Sequence, residues 1–344
     1  MQTQVCITID TEFSIAGAFA NPTLQPVSEP FVWCNVDGRS EGLGFLLSCF
    51  KQFGITATFF VEALQRHYFQ NDPMKPIVHR IRDDDHEVQL HVHPCWSIFQ
   101  YSDWRERVRL QARQDDFVGR SEDESLALIR DGMAVFNDWG LPAPQVFRSG
   151  SLQHDDALYR ALARSGIPYS SNIGLAVFDS ADPRYALYSG RHSRHGVTEC
   201  PVTTFCDWDF AGRKHLKTLT ISGTSYSETR TLLEQAHAKD IELVVILTHP
   251  FEYIQSRDIG LAHSRRHGVN QQRMTKLCKF LNDHPNRFST VGMSEAASRP
   301  MPALSDQNLI LNGSLGQALG RMAMQVSYDR LGQLALACTR RVEK

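Results

Sequence analysis

The stretch Val88-Gln-Leu-His-Val-His-Pro94 places two histidines, one residue apart, at the end of an extended, apolar run. Side chains two residues apart on a strand point to the same face, so His91 and His93 are expected to project together if the extended conformation reaches them. Proline cannot donate to a sheet ladder, so Pro94 fits the end of a strand. Two converging imidazoles are half of a metal site, and the alternative is one functional and one packing histidine.

Ionisable residues follow several other short apolar runs of the chain. Runs of this kind, rich in Val and Ile, are typical of buried strands. In a parallel α/β fold the carboxyl ends of the strands share one edge, which is where active sites lie. The residues at these ends are Asp10 and Glu12 after the run 5–9, Arg148 after 145–147, and His249 after 242–247. This coincidence predicts a site to which four strands contribute.

Helical spacing of apolar residues alternates with these runs in about seven strand–helix units. The alternation predicts an α/β fold with a parallel sheet, and the number of units favours a barrel with loop insertions over an open sheet. Ser294–Asp306, rich in Ala, Ser and Pro, marks a boundary. We therefore expect a barrel domain over residues 1–297. Residues 298–344 are expected to form a C-terminal helical extension that packs on the barrel or on a second copy of the chain.

Composition excludes several classes of function. The 344 residues carry a formal net charge of −2, which gives no reason to expect nucleic acid as a partner. No apolar run reaches the roughly 18 residues of a transmembrane segment, and the N-terminus lacks the basic region and cleavage site of a secretory signal. The eight cysteines form no CxxC pair and are expected to be reduced. These features predict a soluble, cytoplasmic enzyme.

Two histidines and one carboxylate leave an open coordination position, which is typical of a catalytic rather than a structural zinc site. Such a metal gives hydroxide at neutral pH by lowering the pKa of a bound water to about 7. A second carboxylate can accept a proton from that water, and a further histidine can protonate a leaving amine. A neighbouring arginine would orient the carboxylate base.

The motifs resemble those of the polysaccharide deacetylases, the NodB-like carbohydrate de-N-acetylases of the carbohydrate esterase type. The similar segments follow the order of the family and cover about residues 5–292. They are Ile7-Thr-Ile-Asp-Thr-Glu12, Ala57-Thr-Phe-Phe-Val61, Val88-Gln-Leu-His-Val-His-Pro94, Phe147-Arg-Ser-Gly150, Glu199-Cys-Pro-Val-Thr-Thr-Phe205 and Leu247-Thr-His-Pro250. The resemblance implies a distorted (β/α)7 barrel, a divalent metal (usually zinc), and removal of an acyl group from an N-acylated sugar.

The resemblance also implies catalytic roles for three residues of these motifs. Asp10 would be the general base, Arg148 would hold Asp10, and His249 would be the general acid. The backbone after the histidine motif, near Cys95 and Trp96, could help to polarise the acyl oxygen.

The metal ligands that the resemblance implies are Glu12, His91 and His93, with Zn2+ or another divalent transition metal as the ion. This chain departs from the family at these positions. The usual adjacent aspartates have become Asp10-Thr-Glu12, and the usual His-x-x-x-His has become His91-x-His93. Cys95 stands where the second histidine would commonly be, so Cys95 as a further ligand stays open.

A third departure concerns the acidic partner of Arg148. Many relatives carry an aspartate in a Tyr-Asp-Ser-Ser segment, whereas this chain has Tyr169-Ser-Ser-Asn172. Asp207 or Asp209 could substitute for the lost carboxylate.

Two further groups of residues have a functional and a plain interpretation. Arginines and histidines share loops that are either solvated or bind an anionic group such as a phosphate on a sugar carrier. They are Arg191, His192, Arg194, His195, His263, Arg265, Arg266 and His267. The tryptophans either stack on a sugar ring or pack in the core. They are Trp33, Trp96, Trp104 and Trp208.

The main hypothesis is a metal-dependent hydrolase that removes an acetyl or other acyl group from an N-acylated sugar, by metal-activated water. Its substrate would be a glycan or lipopolysaccharide precursor of the cell surface. One alternative is hydrolysis of a small non-sugar amide, and the other is a non-catalytic carbohydrate-binding protein. The C-terminal helices are a candidate surface for homo-oligomer formation.

Overall fold

Seven parallel strands form the central sheet of the computed structural model, which describes residues 2–110, 115–210, 212–300, 308–326 and 328. They are β1 (Thr3–Thr11), β2 (Ala57–Glu62), β3 (Glu87–Val92), β4 (Val146–Ser149), β5 (Tyr169–Ser170), β6 (Val197–Glu199) and β7 (Leu243–Thr248). Their order is β7-β1-β2-β3-β4-β5-β6, and every pair in this series is parallel. The predicted α/β fold with a distorted (β/α)7 barrel is confirmed.

The barrel is distorted because β6 and β7 are joined by an irregular segment rather than by a ladder. The Thr203 N–H donates to the Val245 carbonyl over 3.0 Å, and the Val245 N–H donates to the Thr203 hydroxyl over 3.0 Å. These bonds satisfy backbone groups that would otherwise be left at a buried sheet edge. The sheet therefore curls around a narrow interior.

Nine α-helices surround the sheet in the described residues up to residue 300. They are α1 (Pro30–Trp33), α2 (Leu43–Phe53), α3 (Met74–Asp83), α4 (Trp104–Leu110), α5 (Glu122–Asp138), α6 (Asp156–Ser165), α7 (Tyr226–Ala238), α8 (Gly268–Asp283) and α9 (Met293–Ser298). A capping box begins α5: Ser121 and Glu124 each accept the other's backbone N–H. Gly54 ends α2 with a φ of +62°, a conformation that favours glycine.

The loop insertions carry additional short strands. They are Asn35–Val36, Arg39–Ser40, His192–Arg194, Thr204–Phe210, Arg213–Thr218, Ile254–Ser256, Ser264–Arg266, Phe288–Thr290 and Leu311–Asn312. Phe288–Thr290 pairs in parallel with the first residues of β1. The hairpin made by Ile254–Ser256 and Ser264–Arg266 follows β7 and therefore lies beyond the carboxyl end of the barrel.

Apolar side chains fill the amino half of the barrel interior. Cys6, Phe60, Val146 and Val245 belong to one buried cluster, which Met293 of α9 joins. A larger apolar core lies between the outer face of the sheet and the helices. The predicted site residues lie beyond this apolar cluster, at the carboxyl end of the barrel.

Residues 315–326 form a helix, the C-terminal helix of the described chain. Much of the predicted extension (298–344) lies outside the described residues, namely 301–307, 327 and 329–344. None of the described helices is both long and apolar enough to cross a membrane. The described cysteines are buried and form no disulfide.

Candidate active site

Five neighbouring strands bring ionisable side chains to the carboxyl end of the barrel. Parallel pairing sets Ile9 beside Thr248, Asp10 beside Phe60, Glu62 beside His91, and His91 beside Arg148. The site residues delivered in this way are Asp10 and Glu12 (β1), Glu62 (β2), His91 and His93 (β3), Arg148 (β4) and His249 (β7).

Three donor atoms face one another at the centre of this edge. The Nε2 atoms of His91 and His93 lie 3.5 and 2.7 Å from the same Glu12 carboxylate oxygen. His93 follows the last strand residue but keeps an extended backbone, with φ −101° and ψ 109°. The two rings therefore project together, with centroids 4.8 Å apart. Two imidazole nitrogens and one carboxylate that converge on one point are donors suited to Zn2+ or another divalent transition metal.

The far side of each imidazole ring is also fixed. His91 Nδ1 donates to the Arg148 carbonyl over 2.9 Å, and His93 Nδ1 donates to an Asp115 carboxylate oxygen over 2.8 Å. A carbonyl oxygen only accepts, so the proton of a neutral His91 sits on Nδ1 and the Nε2 lone pair is turned toward Glu12. Such outer partners orient the ring and raise the basicity of a metal-binding histidine. Both rings are therefore arranged as ligands.

Two carboxylates make this position favourable for positive charge. Burial acts to lower the pKa of His93, but the charges of Glu12 and Asp115 outweigh it and raise that pKa well above its usual range. Burial acts in the other direction on Glu12, yet His93 and His91 hold the pKa of the Glu12 carboxyl well below its usual value. An ionised carboxylate on either side of one imidazole attracts a cation.

Glu62 lies beneath the histidines and supports the turn that follows β3. Its carboxylate accepts the backbone N–H of His93 and, over 2.6 Å, that of Leu64. Burial raises the pKa of Glu62 to about 7, despite the opposing effect of the nearby histidines. Glu62 therefore holds the backbone of His93 in place from below.

Arg148 and Asp10 form a buried ion pair beside the donor atoms. One Arg148 Nη donates to Asp10 over 2.7 Å and to the Thr8 hydroxyl over 2.9 Å. Nε and the other Nη donate to the Ser171 carbonyl and hydroxyl, and the guanidinium lies 4.0 Å from the Phe60 ring centre. Arg148 is fully buried and Asp10 is 4% exposed. Asp10 is thus held in one position at the edge of the site.

His249 pairs with a carboxylate that follows it in the chain. Its Nδ1 lies 3.1 Å from Glu252, and its ring stacks on Phe251. Burial acts to lower the pKa of His249, but Glu252 above all, with Asp10 and Glu12, raises it to about 9. This imidazole is therefore protonated at neutral pH and has Nε2 as its second N–H donor.

Cys95 lies next to the histidines but in a second group of donor atoms, formed with His93 and Asp115. That group would use the Nδ1 side of His93, which already donates to Asp115. The expectation that Asp207 or Asp209 replaces the acidic partner of Arg148 is wrong. Asp207 binds Arg321 over 2.7 Å, and Asp209 is exposed.

The backbone N–H groups considered for the acyl oxygen already have acceptors. The Cys95 N–H points to an Asp115 oxygen at 3.4 Å, and the Trp96 N–H donates to the His93 carbonyl over 3.1 Å. The proposed contribution of these two groups to polarising the acyl oxygen is therefore not favoured by their positions.

Arg191 lies at the opposite end of the barrel. It donates to the Ala296 carbonyl and to Gln4 and forms an ion pair with Glu242, all at the amino ends of strands or in α9. The anion-binding interpretation is wrong for this residue. Other members of the arginine- and histidine-rich loops make local contacts, such as Arg194 with the Arg184 carbonyl and His195 with Asp156.

The tryptophans divide into two pairs. Trp96 and Trp104 are buried in the core, so the sugar-stacking interpretation is wrong for them. Trp33 and Trp208 are partly buried, and Trp208 stacks on His215.

Three carboxylates of the site were missed by sequence reasoning: Glu62, Asp115 and Glu252. Glu62 ends an apolar run as Asp10 does, so the strand-end pattern could have found it. Glu252 lies three residues after His249, within reach of its ring. Asp115 belongs to a long irregular segment, and no sequence signal connects it with His93.

No family model and no curated protein matches this chain. Solved structures do match. They include a candidate polysaccharide deacetylase from Mycobacterium smegmatis, 16% identical over 87% of this chain and 94% of that one, with a TM-score of 0.44. A family 4 carbohydrate esterase from Streptomyces lividans in complex with acetate is 12% identical over 87% and 98%, with a TM-score of 0.39. A family 4 acetyl xylan esterase from Clostridium thermocellum, in complex with a cobalt ion, is 16% identical over 86% and 90%, with a TM-score of 0.36. These descriptions name the same group of proteins as the motif resemblance.

Proposed function

We propose that this protein is a metal-dependent hydrolase that removes an acyl group, with acetyl as the first candidate, from the nitrogen of an N-acylated sugar. One observation carries the proposal. The Nε2 atoms of His91 and His93 converge on Glu12 directly beside the buried Asp10–Arg148 pair. A metal-binding donor set next to an oriented carboxylate base is the arrangement that hydrolysis of an amide needs.

Glu12, His91 and His93 are the residues that would hold a divalent metal. When bound, such an ion supplies Lewis acidity toward water and toward the acyl oxygen. His91 and His93 are kept ready for this role by their Nδ1 contacts with the Arg148 carbonyl and with Asp115.

Asp10 accepts the proton of the attacking water in this proposal. Arg148 keeps the carboxylate in place through its 2.7 Å contact, because leaving a buried carboxylate without its partner is costly. As the water oxygen bonds to the acyl carbon, its proton passes to Asp10.

His249 supplies the proton that completes the reaction. When the C–N bond breaks, the electron pair of that bond stays on the nitrogen, and the imidazolium of His249 protonates it. Glu252 keeps His249 protonated and oriented until that step. The products are a carboxylic acid and the free amino sugar, so atoms and protons balance.

The substrate class rests on the motif resemblance. A glycan or lipopolysaccharide precursor of the cell surface is the first candidate, and a small non-sugar amide is the alternative. Zinc as the ion and the cytoplasm as the place of action stay predictions. A non-catalytic carbohydrate-binding protein would need neither the metal nor the oriented Asp10.

The test is the metal content of tag-free protein, measured by elemental mass spectrometry for the wild type and for His93→Ala and Glu12→Ala. The matched control is His67→Ala, which removes a histidine paired with Asp131 away from the site. We expect about one divalent transition metal ion per chain in the wild type and control, and loss in both site variants. The loaded wild type is then incubated with N-acetylated sugars and glycans, and released acetate is measured.

Absence of stoichiometric metal after incubation with zinc, cobalt or nickel would refute the proposal. Stoichiometric metal without acyl release from sugars, but with release from small amides, would favour the alternative substrate. Metal-independent glycan binding without release would favour the non-catalytic alternative.

A further inference from the structure

The C-terminal helix, residues 315–326, carries a concentration of exposed apolar side chains. The described residues include ten large hydrophobic side chains that are exposed, and five of them lie on these twelve residues. They are Leu315, Leu319, Met322, Met324 and Val326, with 43–55% of each side chain exposed. Monomeric proteins seldom expose so many large apolar side chains on one short element.

The inner face of the C-terminal helix is fixed to the barrel by polar contacts. Arg321 forms ion pairs with Asp207 and Glu228, both buried, at 2.7 and 3.1 Å. Gln317 donates to the Thr231 hydroxyl, and the hydroxyl of Tyr328 accepts the Gly268 N–H. Because Arg321 is the only charged residue of the helix and is turned inward, the outer face carries no charge.

The outer face has a ridge of large residues beside a groove of small ones. At 100° per residue, Leu315, Leu319, Met322 and Val326 fall within an arc of about 60°. Gly316, Gly320 and Ala323 form the adjoining, exposed strip. A ridge on one helix packs into a groove on another when two helices associate. A surface that carries both is complementary to itself, as a two-fold symmetric interface requires.

Among the described residues, none packs against the open side of Gly320. A Cβ atom added at Gly320 or Gly316 would meet nothing within 4 Å. Glycine inside a helix costs about 1 kcal/mol relative to alanine. Close approach of the backbone of another helix would explain a glycine at an interior helical position with open space around it.

We propose that two copies of this chain associate through the outer faces of their C-terminal helices, with the ridge of one in the groove of the other. The exposed apolar side chains cover on the order of 500 Å² per copy, so the pair would bury about 1,000 Å², the lower limit for a specific interface. The six charged residues of 329–344 lie at its two ends, around an uncharged run at 331–339, so coverage of the face by this segment is the alternative that a truncation must test. An uncharged face favours an equally uncharged partner surface.

The test is sedimentation velocity of the full chain over about 1 to 100 µM, a range in which a micromolar dimer dissociates. Leu319→Glu places a charge on the ridge, and Gly320→Leu fills the groove at a position where an added Cβ meets no atom of the described residues within 4 Å. Val177→Glu is the matched control, because Val177 is an apolar residue of similar exposure, 53%, outside the C-terminal helix. Circular dichroism checks that each variant is folded.

We expect a dimer whose dissociation constant rises at least roughly a hundredfold in Leu319→Glu and in Gly320→Leu and stays within about twofold in Val177→Glu. A chain ending at Tyr328 should dimerise as the wild type does. A monomeric wild type over the whole range, or a dimer unaffected by both face variants, would overturn the proposal. A full chain that is monomeric and dimerises only after truncation would show instead that residues 329–344 cover the face.

Discussion

Glu252 offers the sharpest test of how the candidate general acid is kept protonated. The substitution Glu252→Gln removes a negative charge 3.1 Å from His249 Nδ1 and nearly preserves the shape of the side chain. A general acid must carry its proton when the leaving group departs, so its activity is lost as pH rises through its pKa. The variant should therefore lose activity at a lower pH than the wild type.

The structure sets the size of the effect. The pKa of His249 is raised from 6.5 to about 9, and the hydrogen bond and charge of Glu252 are the largest contributions that raise it. Loss of one adjacent opposite charge lowers a histidine pKa by roughly 1 to 3 units. At pH 8 the protonated fraction of His249 would fall from about nine-tenths to about a half or less, each unit corresponding to about 1.4 kcal/mol.

The measurement is an NMR titration of the His249 imidazole in wild type and Glu252→Gln, assigned with a His249→Gln variant. Both proteins are compared in the same metal state, because a cation at Glu12 offsets that carboxylate's effect on His249. The control is Glu234→Gln, which removes an exposed carboxylate paired with Arg230. The alkaline limb of acyl release should shift with the titrated pKa.

A His249 pKa that stays within about 0.3 units in Glu252→Gln would refute this account of the acid. A lowered pKa with an unchanged alkaline limb would refute the assignment of His249 as the proton donor.

The remaining predictions concern the metal-binding donors and the buried ion pair. Asp115→Asn should weaken metal binding roughly 10- to 100-fold, measured by competition with a chromophoric chelator, because the ring of His93 loses its outer carboxylate; unchanged affinity would contradict this role. Gly150→Ala should also weaken metal binding, by roughly tenfold or more, because its Cβ would overlap the His93 ring and force the ring to move. An unchanged NMR chemical shift of the His93 ring in this variant would contradict the prediction. Arg148→Met should lower the free energy of unfolding by roughly 3–5 kcal/mol in urea, because Asp10 stays buried without its partner. Adding Asp10→Asn should recover part of that loss, and an additive double variant would contradict the coupling.

The barrel could be predicted because its strands are short apolar runs with an ionisable residue at the end. Val5–Ile9 lies within the observed β1, and β3 contains the first five residues of the histidine run, Val88–Val92, with His93 just beyond its end. Strands of a parallel sheet are buried on both faces and are therefore apolar along their whole length, so they can be recognised from the sequence alone.

The support around the metal-binding donors could not be predicted in the same way. Asp115 reaches His93 from a segment without apolar periodicity, and only the folded chain brings the two together. Arg191 shows the opposite error. Proximity to histidines in the sequence suggested a binding loop, but the side chain turns to the amino end of the barrel and pairs with Glu242. The end of the sheet toward which a side chain turns is set by tertiary packing, and a pattern of residue types does not encode it.

The first strand of the chain obtains its last hydrogen-bonding partners from strands near the end of the described chain. Gln4 pairs with Leu243, and Thr3 pairs with Phe288. During synthesis, the segment that carries Asp10 and Glu12 therefore keeps an unpaired edge until nearly 290 residues have left the ribosome. At about 5–20 residues per second this wait lasts tens of seconds, in which an open strand edge is free to pair with other chains. Glu12, His91 and His93 all precede residue 100, whereas His249 follows β7, so the candidate general acid is the last of these side chains to be synthesised and to reach the site.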